Sequence, residues 1–516
     1  MRQVFGALPD VLPRNLPPEI EIAATPSGVP SLRVSGALIH SAKDPLREAQ
    51  RIVKTEYEHS GGCTAGVQKA GEGGGEGKAP FFILLGFGLG YGALAAAEMF
   101  PGSFMLIIEK RAEVLRAALE QRDWTGFLTG NRLIFVLGGE SAAVFSALNA
   151  AVQGGADASS VVVIKNRALM RFDSPWYGEI EAHIATWRQK NRVNTATLER
   201  FGERWRRNLQ ANSAAIHELP GVSQLWGGLH PAATAPAGSG GTGEEADGGF
   251  PLLLLAAGPS LDEIAPHIGA LRDRFVIVAV DTAARFLFHS KTEADFMLSV
   301  DAQYWNSRHL DYIHDSAKTV FIFDPVVHPP LLRRLSSGRA GRVFLCAPSV
   351  QSGLDSGTEA LSKGRLAAGG TVASSAWDFC RLMTGRGEIW IAGLDLAYPA
   401  LKTHYKGALF EERALSASCR FRPAELAVYM ASRALPVFLQ PAMDGSLVYT
   451  DTRLHLYKRW FAAAFERHPD IRCYALTAQG LAIAGLQPAS LERALAKKII
   501  RPAIDAALQA MLTRAS

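Results

Sequence analysis

Cysteine is scarce in this chain, and the signatures of several enzyme classes are missing. Five cysteines occur among 516 residues, and none of them forms a Cys-x-x-Cys pair. This scatter disfavours a disulfide framework or a cysteine zinc site and indicates reduced thiols. The sequence also contains no His-Glu-x-x-His and no Gly-x-x-x-x-Gly-Lys-Ser/Thr motif. Zinc hydrolases and P-loop kinases are therefore disfavoured, and we predict no metal site.

Excess charge and an export signal are also lacking. The formal net charge is only +5, which indicates neither nucleic acid nor a membrane surface as a partner. The first residues, MRQVFGALPDVLPRNLPPEIE, contain no apolar signal-peptide core. One apolar run, PFFILLGFGLGYGALAAAEM, approaches the length of a membrane span, but its alternating glycines argue against one. We therefore expect a cytoplasmic protein without a membrane span.

That glycine-rich run has a second interpretation. Gly86, Gly88 and Gly90 follow the strand-like segment FFILL, and the next strand, FMLIIE, ends at Glu109. This is the layout of a dinucleotide or S-adenosylmethionine fingerprint, in which the acidic residue accepts a ribose hydroxyl. In the alternative interpretation, the glycines only let helix and strand pack closely.

A second strand-turn-helix junction begins at Pro251. Leu252 to Ala257 form an apolar run of strand length, Gly258 and Pro259 break it, and Ser260 with Glu263 has the spacing of a capping box. The backbone N–H groups of such a helix start can bind a phosphate. The alternative is that these residues only turn and cap the chain.

Further apolar strands follow at βαβ spacing, and several end in a carboxylate. FVIVAVD ends at Asp281, FMLSVD at Asp301, TVFIFD at Asp324 and EIWIAGLDLAYP near Asp395. In open α/β sheets, ligands bind at the carboxyl ends of the strands. We therefore expect these aspartates to lie near a ligand.

Composition divides the chain into four parts. We predict an α/β protein with two Rossmann-like domains, at residues 1–193 and 250–486. Between them, residues 194–249 form a connecting helix followed by the low-complexity tether PAATAPAGSGGTGEEADGG. Residues 487–516 form a short C-terminal helix that is interrupted at Pro502.

Seven sequence blocks carry a family resemblance over residues 251–485: AAGPSLD, VAVDTAARFL, SVDAQ, GGTVASSAWDF, IAGLDLAY with THYKG, DGSLVYTDTRLHLYKRWF and YALTAQGLAIAG. In order and spacing they resemble the motility-associated-factor (Maf) flagellin glycosyltransferases. The central domain of that family is shared with 6-hydroxymethylpterin diphosphokinases of the MptE type and is similar in fold to bacterial sialyltransferases. The family's N-terminal domain carries a similar GFGLGYG block without an established activity, which favours the packing interpretation of Gly86 to Gly90.

The resemblance implies an inverting transfer of a nonulosonic acid of the pseudaminic or legionaminic type. The donor would be its CMP ester and the acceptors Ser or Thr hydroxyls of flagellin, with no metal and no tightly bound cofactor. It implies nucleotide-binding residues at two loop-to-helix junctions and three strand ends: Gly258, Pro259, Ser260, Thr371, Asp281, Asp301 and Asp395. The acid/base and leaving-group residues are expected in DLAYPALKTHYKG, where they are Tyr398, His404 and Tyr405.

Two other interpretations stay open. An MptE-like diphosphokinase would use ATP and Mg²⁺, and Asp281, Asp301 and Asp395 would then be metal-ligand candidates. A flagellin-binding assembly protein would keep the nucleotide fold without activity.

Overall fold

The computed structural model describes most of the chain in two compact units. The structure describes residues 12–61, 79–141, 143–229, 249–313, 318–337, 341–348, 360, 362–385 and 387–515. The predicted tether lies almost wholly outside these ranges. By its contacts the chain divides into Met1–Arg200 and Phe201–Ser516.

The first unit contains a four-stranded parallel sheet with strand order β6-β5-β4-β7. Its strands are β4 (Phe81–Leu85), β5 (Phe104–Glu109), β6 (Arg132–Leu137) and β7 (Val161–Lys165). An antiparallel three-stranded sheet precedes it, with β1 (Ile20–Ala23), β2 (Ser31–Val34) and β3 (Ala37–Leu38). The helices that begin in this unit are Pro45–His59, Tyr91–Met99, Ala112–Gln121, Thr125–Gly130, Ala143–Gln153, Arg167–Met170 and Ser174–Ala211.

The second unit is built on an eight-stranded parallel sheet with order β12-β11-β10-β9-β8-β13-β16-β17. Its strands are β8 (Leu252–Leu255), β9 (Val276–Val280), β10 (Phe296–Ser299), β11 (Val320–Phe323), β12 (Val343–Leu345), β13 (Gly387–Ala392), β16 (Ile471–Ala475) and β17 (Leu486–Pro488). A separate antiparallel hairpin pairs β14 (Val437–Pro441) with β15 (Leu447–Asp451). All four leucines of β8 are fully buried, as expected for a parallel sheet covered on both faces.

Helices surround this sheet. The α-helices are Ser213–Glu218, Ile268–Arg272, Ala284–His289, Tyr304–Ser307, Pro329–Ser336, Val372–Thr384, Leu409–Ser416, Ala424–Ser432, Thr452–Arg467, Leu491–Leu495 and Arg501–Ala515. The 3₁₀-helices are Val222–Leu225, Pro259–His267, Asp281–Ala283, Arg308–Leu310 and Pro399–Leu401. The predicted α/β class with parallel sheets is thus confirmed. Within the described ranges, no helix combines the length and the apolar character that crossing a bilayer requires.

Two predicted boundaries differ from the structure. Helix Ser174–Ala211 runs without a break through the boundary predicted at 193/194. At the other end, the C-terminal helical region is interrupted, as predicted, but at residues 496–500, between the helices Leu491–Leu495 and Arg501–Ala515. Pro502 is the second residue of the latter helix, where its missing N–H has no helical partner to lose. That last helix places Ile504 and Met511 in the hydrophobic core of the second unit. The packing of this helix is therefore determined by its buried apolar residues.

Candidate active site

The site lies at the carboxyl edge of the eight-stranded sheet. Strand β8 pairs with β9 on one side and with β13 on the other. The chain extends the sheet from β8 in opposite directions on these two sides, which makes this point a topological switch point. Crevices at such a topological switch point are where open α/β sheets bind ligands. As predicted, Gly258, Asp281, Asp301 and Asp395 all follow strand ends at this edge.

The capping box predicted at Ser260 is wrong. The helix that starts here is a 3₁₀-helix, Pro259–His267, and its N-cap is Gly258 without a side-chain hydrogen bond. The Ser260 hydroxyl does not cap the N–H of Glu263. It donates instead to Oδ1 of Asp395, a buried carboxylate from the loop after β13. A carboxylate distant in sequence is thus the stronger acceptor for this hydroxyl.

The backbone N–H groups of Gly258 and Ser260 are already paired inside the protein. The N–H of Gly258 donates to the carbonyl of Gly393 at 2.8 Å, and that of Ser260 to Oδ2 of Asp395 at 2.8 Å. Pro259 has no N–H group. A Cβ on Gly258 would stand 2.4 Å from Asp395 Oδ2, so the glycine serves close packing. The expected phosphate cradle is therefore occupied from within the protein, and a nucleotide role for these residues stays a prediction.

Asp281 and Asp301 each hold a carboxamide. Asp281 is fully buried and accepts hydrogen bonds from Asn306 Nδ2 at 2.6 Å and Ser299 Oγ at 2.5 Å. Burial raises the pKa of its carboxyl to about 7. Asp301 accepts from the backbone N–H and from Nε2 of Gln303, at 2.9 and 3.2 Å. Burial also raises the pKa of Asp301, while the bonds from Gln303 lower it. The two aspartates therefore orient the side chains of Gln303 and Asn306.

These carboxamides line a cavity of about 160 Å³. Its wall combines polar, aromatic and cationic side chains. The lining residues are Gln303, Trp305, Asn306, His309, His404, Ala408, Leu409, Phe410 and Arg413. Among the predicted site residues, His404 is the one that reaches this cavity. The sequence analysis missed Gln303, Trp305, Asn306 and His309, which lie shortly after Asp301 in QYWNSRH, where polar residues after a strand end could have identified them. It also missed Ala408, Leu409, Phe410 and Arg413, which follow His404 in the chain.

Both histidines of the cavity are uncharged at neutral pH. Burial, followed by the charge of Arg453, lowers the pKa of His404 to about 4. Burial also lowers the pKa of His309 to about 4, with smaller contributions from His404 and Arg285. Nδ1 of His404 is 3.1 Å from Thr403 Oγ1. Two neutral imidazoles in one cavity can accept protons or hydrogen bonds from a hydroxyl.

The two predicted tyrosines do not join His404 in the cavity. The Tyr405 hydroxyl is buried, donates to the carbonyl of Thr282 at 2.9 Å and accepts from the N–H of Phe286 at 3.1 Å. Tyr398 donates to Oδ2 of Asp451 at 2.7 Å, and burial and that carboxylate raise its pKa to about 12. Their expected roles as phosphate donors do not fit these positions, because both hydroxyl protons are already donated inside the protein.

Thr371 lies at another helix start. It is the N-cap of helix Val372–Thr384, without a side-chain capping bond, and its carbonyl accepts from Ser374 Oγ at 2.5 Å. Thr371 is outside the cavity lining. Its role stays a prediction.

The acidic residue of the N-terminal fingerprint, Glu109, forms hydrogen bonds within the protein. Glu109 was expected to face a ribose hydroxyl, but its carboxylate is buried and accepts from the N–H groups of Phe87 at 2.7 Å and Arg111 at 3.0 Å. Burial raises its pKa to about 7, although these N–H groups lower it. Glu109 thus fixes the turn at Gly86 to Gly90 through the N–H of Phe87.

Side chains also fill the space beside these glycines. A Cβ on Gly88 would stand 2.4 Å from His40 Nε2, and one on Gly90 would stand 2.1 Å from Trp124. His40 Nε2 in turn accepts from the N–H of Leu89 at 2.9 Å. This geometry agrees with the packing interpretation of the glycines.

Comparisons with known proteins agree with this architecture. The model of the 6-hydroxymethylpterin diphosphokinase MptE-like family matches residues 243–400. An uncharacterized protein of Treponema pallidum (strain Nichols) is 32% identical over 229 residues, which are 39% of this chain and 57% of that protein. A second uncharacterized protein of the same organism is 27% identical over 250 residues, 48% of this chain and 72% of that protein. The chain thus spans little more than half of the first relative.

One solved structure covers nearly the whole chain. The Maf glycosyltransferase from Magnetospirillum magneticum AMB-1 matches 99% of this chain and 76% of its own, with a TM-score of 0.57 and 16% identity. The chain therefore contains an MptE-like domain and has the fold of a Maf glycosyltransferase. This confirms the resemblance that the seven sequence blocks carry.

Proposed function

We propose that this protein is a glycosyltransferase that moves a CMP-activated nonulosonic acid, of the pseudaminic or legionaminic type, to Ser or Thr hydroxyls of flagellin in the cytoplasm. The observation that carries the proposal is the cavity at the carboxyl edge of the sheet, in which neutral His404 and His309 face Asn306 and Gln303. The shared fold with a Maf glycosyltransferase supports the reaction class.

The chemistry is a single displacement at the anomeric carbon of the donor. The acceptor oxygen forms a bond to this carbon while the bond from the carbon to the phosphate oxygen breaks. CMP leaves with the bonding electron pair, and the acceptor's proton passes to the imidazole of His404. An imidazole that is neutral at pH 7 is ready to accept this proton.

The remaining cavity residues bind the donor. The carboxamides of Gln303 and Asn306 are uncharged donors and acceptors, which suit ribose, base and sugar hydroxyls. Asp301 and Asp281 fix their orientation. Arg413, at the cavity wall, supplies positive charge for the departing phosphate.

The MptE-like match favours a second candidate, a diphosphokinase that uses ATP and Mg²⁺. Its metal ligands would be Asp281, Asp301 and Asp395. Asp281 and Asp395 already accept hydrogen bonds from protein donors, which a metal ion would have to replace. In the described part of the chain, no three His, Cys, Asp or Glu side chains are grouped to hold a metal ion. The transferase therefore accounts better for the polar groups that line the cavity.

The test uses the full-length protein with flagellin monomer and CMP-pseudaminic or CMP-legionaminic acid. We expect flagellin to gain the mass of one or more sugars, with one CMP released per sugar, in the presence of EDTA. A parallel reaction contains ATP, Mg²⁺ and the hydroxymethylpterin substrate. Pterin diphosphate formation without sugar transfer would establish the diphosphokinase instead. Binding of flagellin with turnover of neither substrate would favour an inactive assembly protein.

A further inference from the structure

Exposed apolar side chains are concentrated in one short segment of the second unit. In the described part of the chain, sixteen large hydrophobic side chains are strongly exposed, and nine of them fall between residues 415 and 447. We call these nine the apolar surface: Leu415, Phe421, Leu426, Tyr429, Met430, Leu435, Phe438, Leu439 and Leu447. Single exposed hydrophobic side chains are normal on a protein surface, whereas exposed apolar side chains gathered in one region are typical of interaction sites.

The elements that carry the apolar surface have little core of their own. Helix Ala424–Ser432 has nine residues, most of them apolar, yet Ser432 is its only buried one. The adjoining hairpin has just two strands. A helix this short is marginal in water without packing, and of its apolar side chains the hairpin buries only Ala442 and Val448, in a small cluster with Ala397 and Leu481. A partner that covers their apolar side chains would therefore stabilise them.

Helix Leu409–Ser416 connects the apolar surface to the cavity. Its residues Leu409, Phe410 and Arg413 line the cavity, and its Leu415 belongs to the apolar surface. Leu415 lies six positions after Leu409 in this helix, which corresponds to a rise of about 9 Å along the helix axis. A polypeptide bound to the apolar surface would thus reach His404 with a neighbouring side chain.

Arginines on and beside this surface indicate the charge of the partner. The guanidinium groups of Arg420 and Arg433 lie over aromatic rings, with distances of 5.9 Å to the Phe421 ring and 5.6 Å to the Tyr429 ring. Stacking holds a guanidinium in place while its N–H groups stay able to bind a carboxylate. The nearby carboxylate of Glu412 is already paired with Arg285.

We propose that the apolar surface binds the acceptor polypeptide of the transfer reaction, through a segment that combines apolar side chains with carboxylates. The inference rests on the proposed function and adds the place where the acceptor docks. Bulky apolar side chains beside arginines suit an extended polypeptide better than a small sugar nucleotide.

The test is the double variant Phe421→Asp with Met430→Asp. Both side chains are largely exposed, at 89% and 62%, so the free protein should fold normally. We expect kcat/KM for flagellin to fall about tenfold or more, while hydrolysis of the CMP-sugar without acceptor stays unchanged. Ile499→Asp is the matched control, because Ile499 is 59% exposed but lies outside the apolar surface. It should leave both rates unchanged.

Unchanged kcat/KM for flagellin in the folded double variant would overturn the proposal. So would a wild-type dimer that the double variant converts to an equally active monomer, since the apolar surface would then join two copies of this chain. If the wild type transfers no sugar, the proposed function fails, and photo-crosslinking to flagellin monomer decides the docking separately. A crosslinker at Met430 should then capture flagellin and one at Ile499 should not; capture at neither position overturns the docking.

Discussion

His404 is the residue whose replacement tests the proposed chemistry most directly, and we predict that His404→Gln slows sugar transfer without weakening CMP binding. The imidazole lines the cavity, and its pKa of about 4 means that only about one molecule in a thousand carries the extra proton at pH 7. Glutamine keeps a polar side chain at this position but cannot accept the proton of the acceptor hydroxyl. Ground-state contacts with the nucleotide should therefore survive.

A positioned proton acceptor contributes about 10²- to 10⁴-fold to a rate, which corresponds to about 2.7 to 5.5 kcal/mol of transition-state free energy. We expect kcat to fall by this factor in His404→Gln. The pH profile adds a second condition. Because the proton binds His404 only as the pH falls through about 4, the wild-type rate should show no loss from this group between pH 8 and 5.

Intact-protein mass spectrometry of flagellin over time measures the rate, and calorimetry with CMP measures the affinity. His468→Gln is the matched control, because His468 is also partly buried but does not line the cavity. Near-normal transfer by folded His404→Gln would remove this histidine from the mechanism. An equal loss of rate and CMP affinity would make it a binding residue instead.

Three further predictions concern the carboxamide and the N-terminal turn. Asn306→Ala should weaken CMP binding about tenfold by calorimetry, because a hydrogen-bonding group of the cavity is lost; unchanged affinity would exclude this contact. Gly90→Ala should lower the unfolding free energy in urea by about 1–3 kcal/mol more than Gly102→Ala. Both glycines have positive φ, but only a Cβ on Gly90 would clash with Trp124. Equal losses in the two variants would refute the packing interpretation. The pKa of Glu109 is raised from 4.5 to about 7 in the folded state, so its carboxyl favours folding at low pH. About 3 kcal/mol of unfolding free energy should therefore be lost as the pH rises from 4.5 through 7. Glu109→Gln should abolish this pH dependence in urea titrations.

The strands were predictable because their sequences are uninterrupted apolar runs. The segments ending at Asp281 and Asp301 are buried on both faces of a parallel sheet, and such strands need no alternation of polar residues. The position of each aspartate at the carboxyl edge then follows from the direction of its strand. The same argument predicted β8 and the turn at Gly258.

The contacts of the site could not be predicted in this way. Ser260 and Asp395 are 135 residues apart in sequence, and only the pairing of β8 with β13 brings them together. Local spacing therefore indicated a capping box, whereas a long-range carboxylate takes the Ser260 hydroxyl. The cavity has the same origin, because Asn306 follows β10 whereas His404 follows β13.

The two glycine turns of this chain show why a turn at a switch point is weak evidence for a bound phosphate. In the first unit Glu109 accepts the N–H of Phe87 at 2.7 Å, and in the second Asp395 accepts the N–H of Ser260 at 2.8 Å. Burial raises the pKa of both carboxyls, and the N–H groups oppose that shift, as a bound anion's partners would. An internal carboxylate thus already occupies the place where a phosphate would bind. The site that we propose for the donor is instead the cavity formed by Gln303, Asn306, His309 and His404, where the buried Nδ1 of His309 has no hydrogen-bond partner among the described residues.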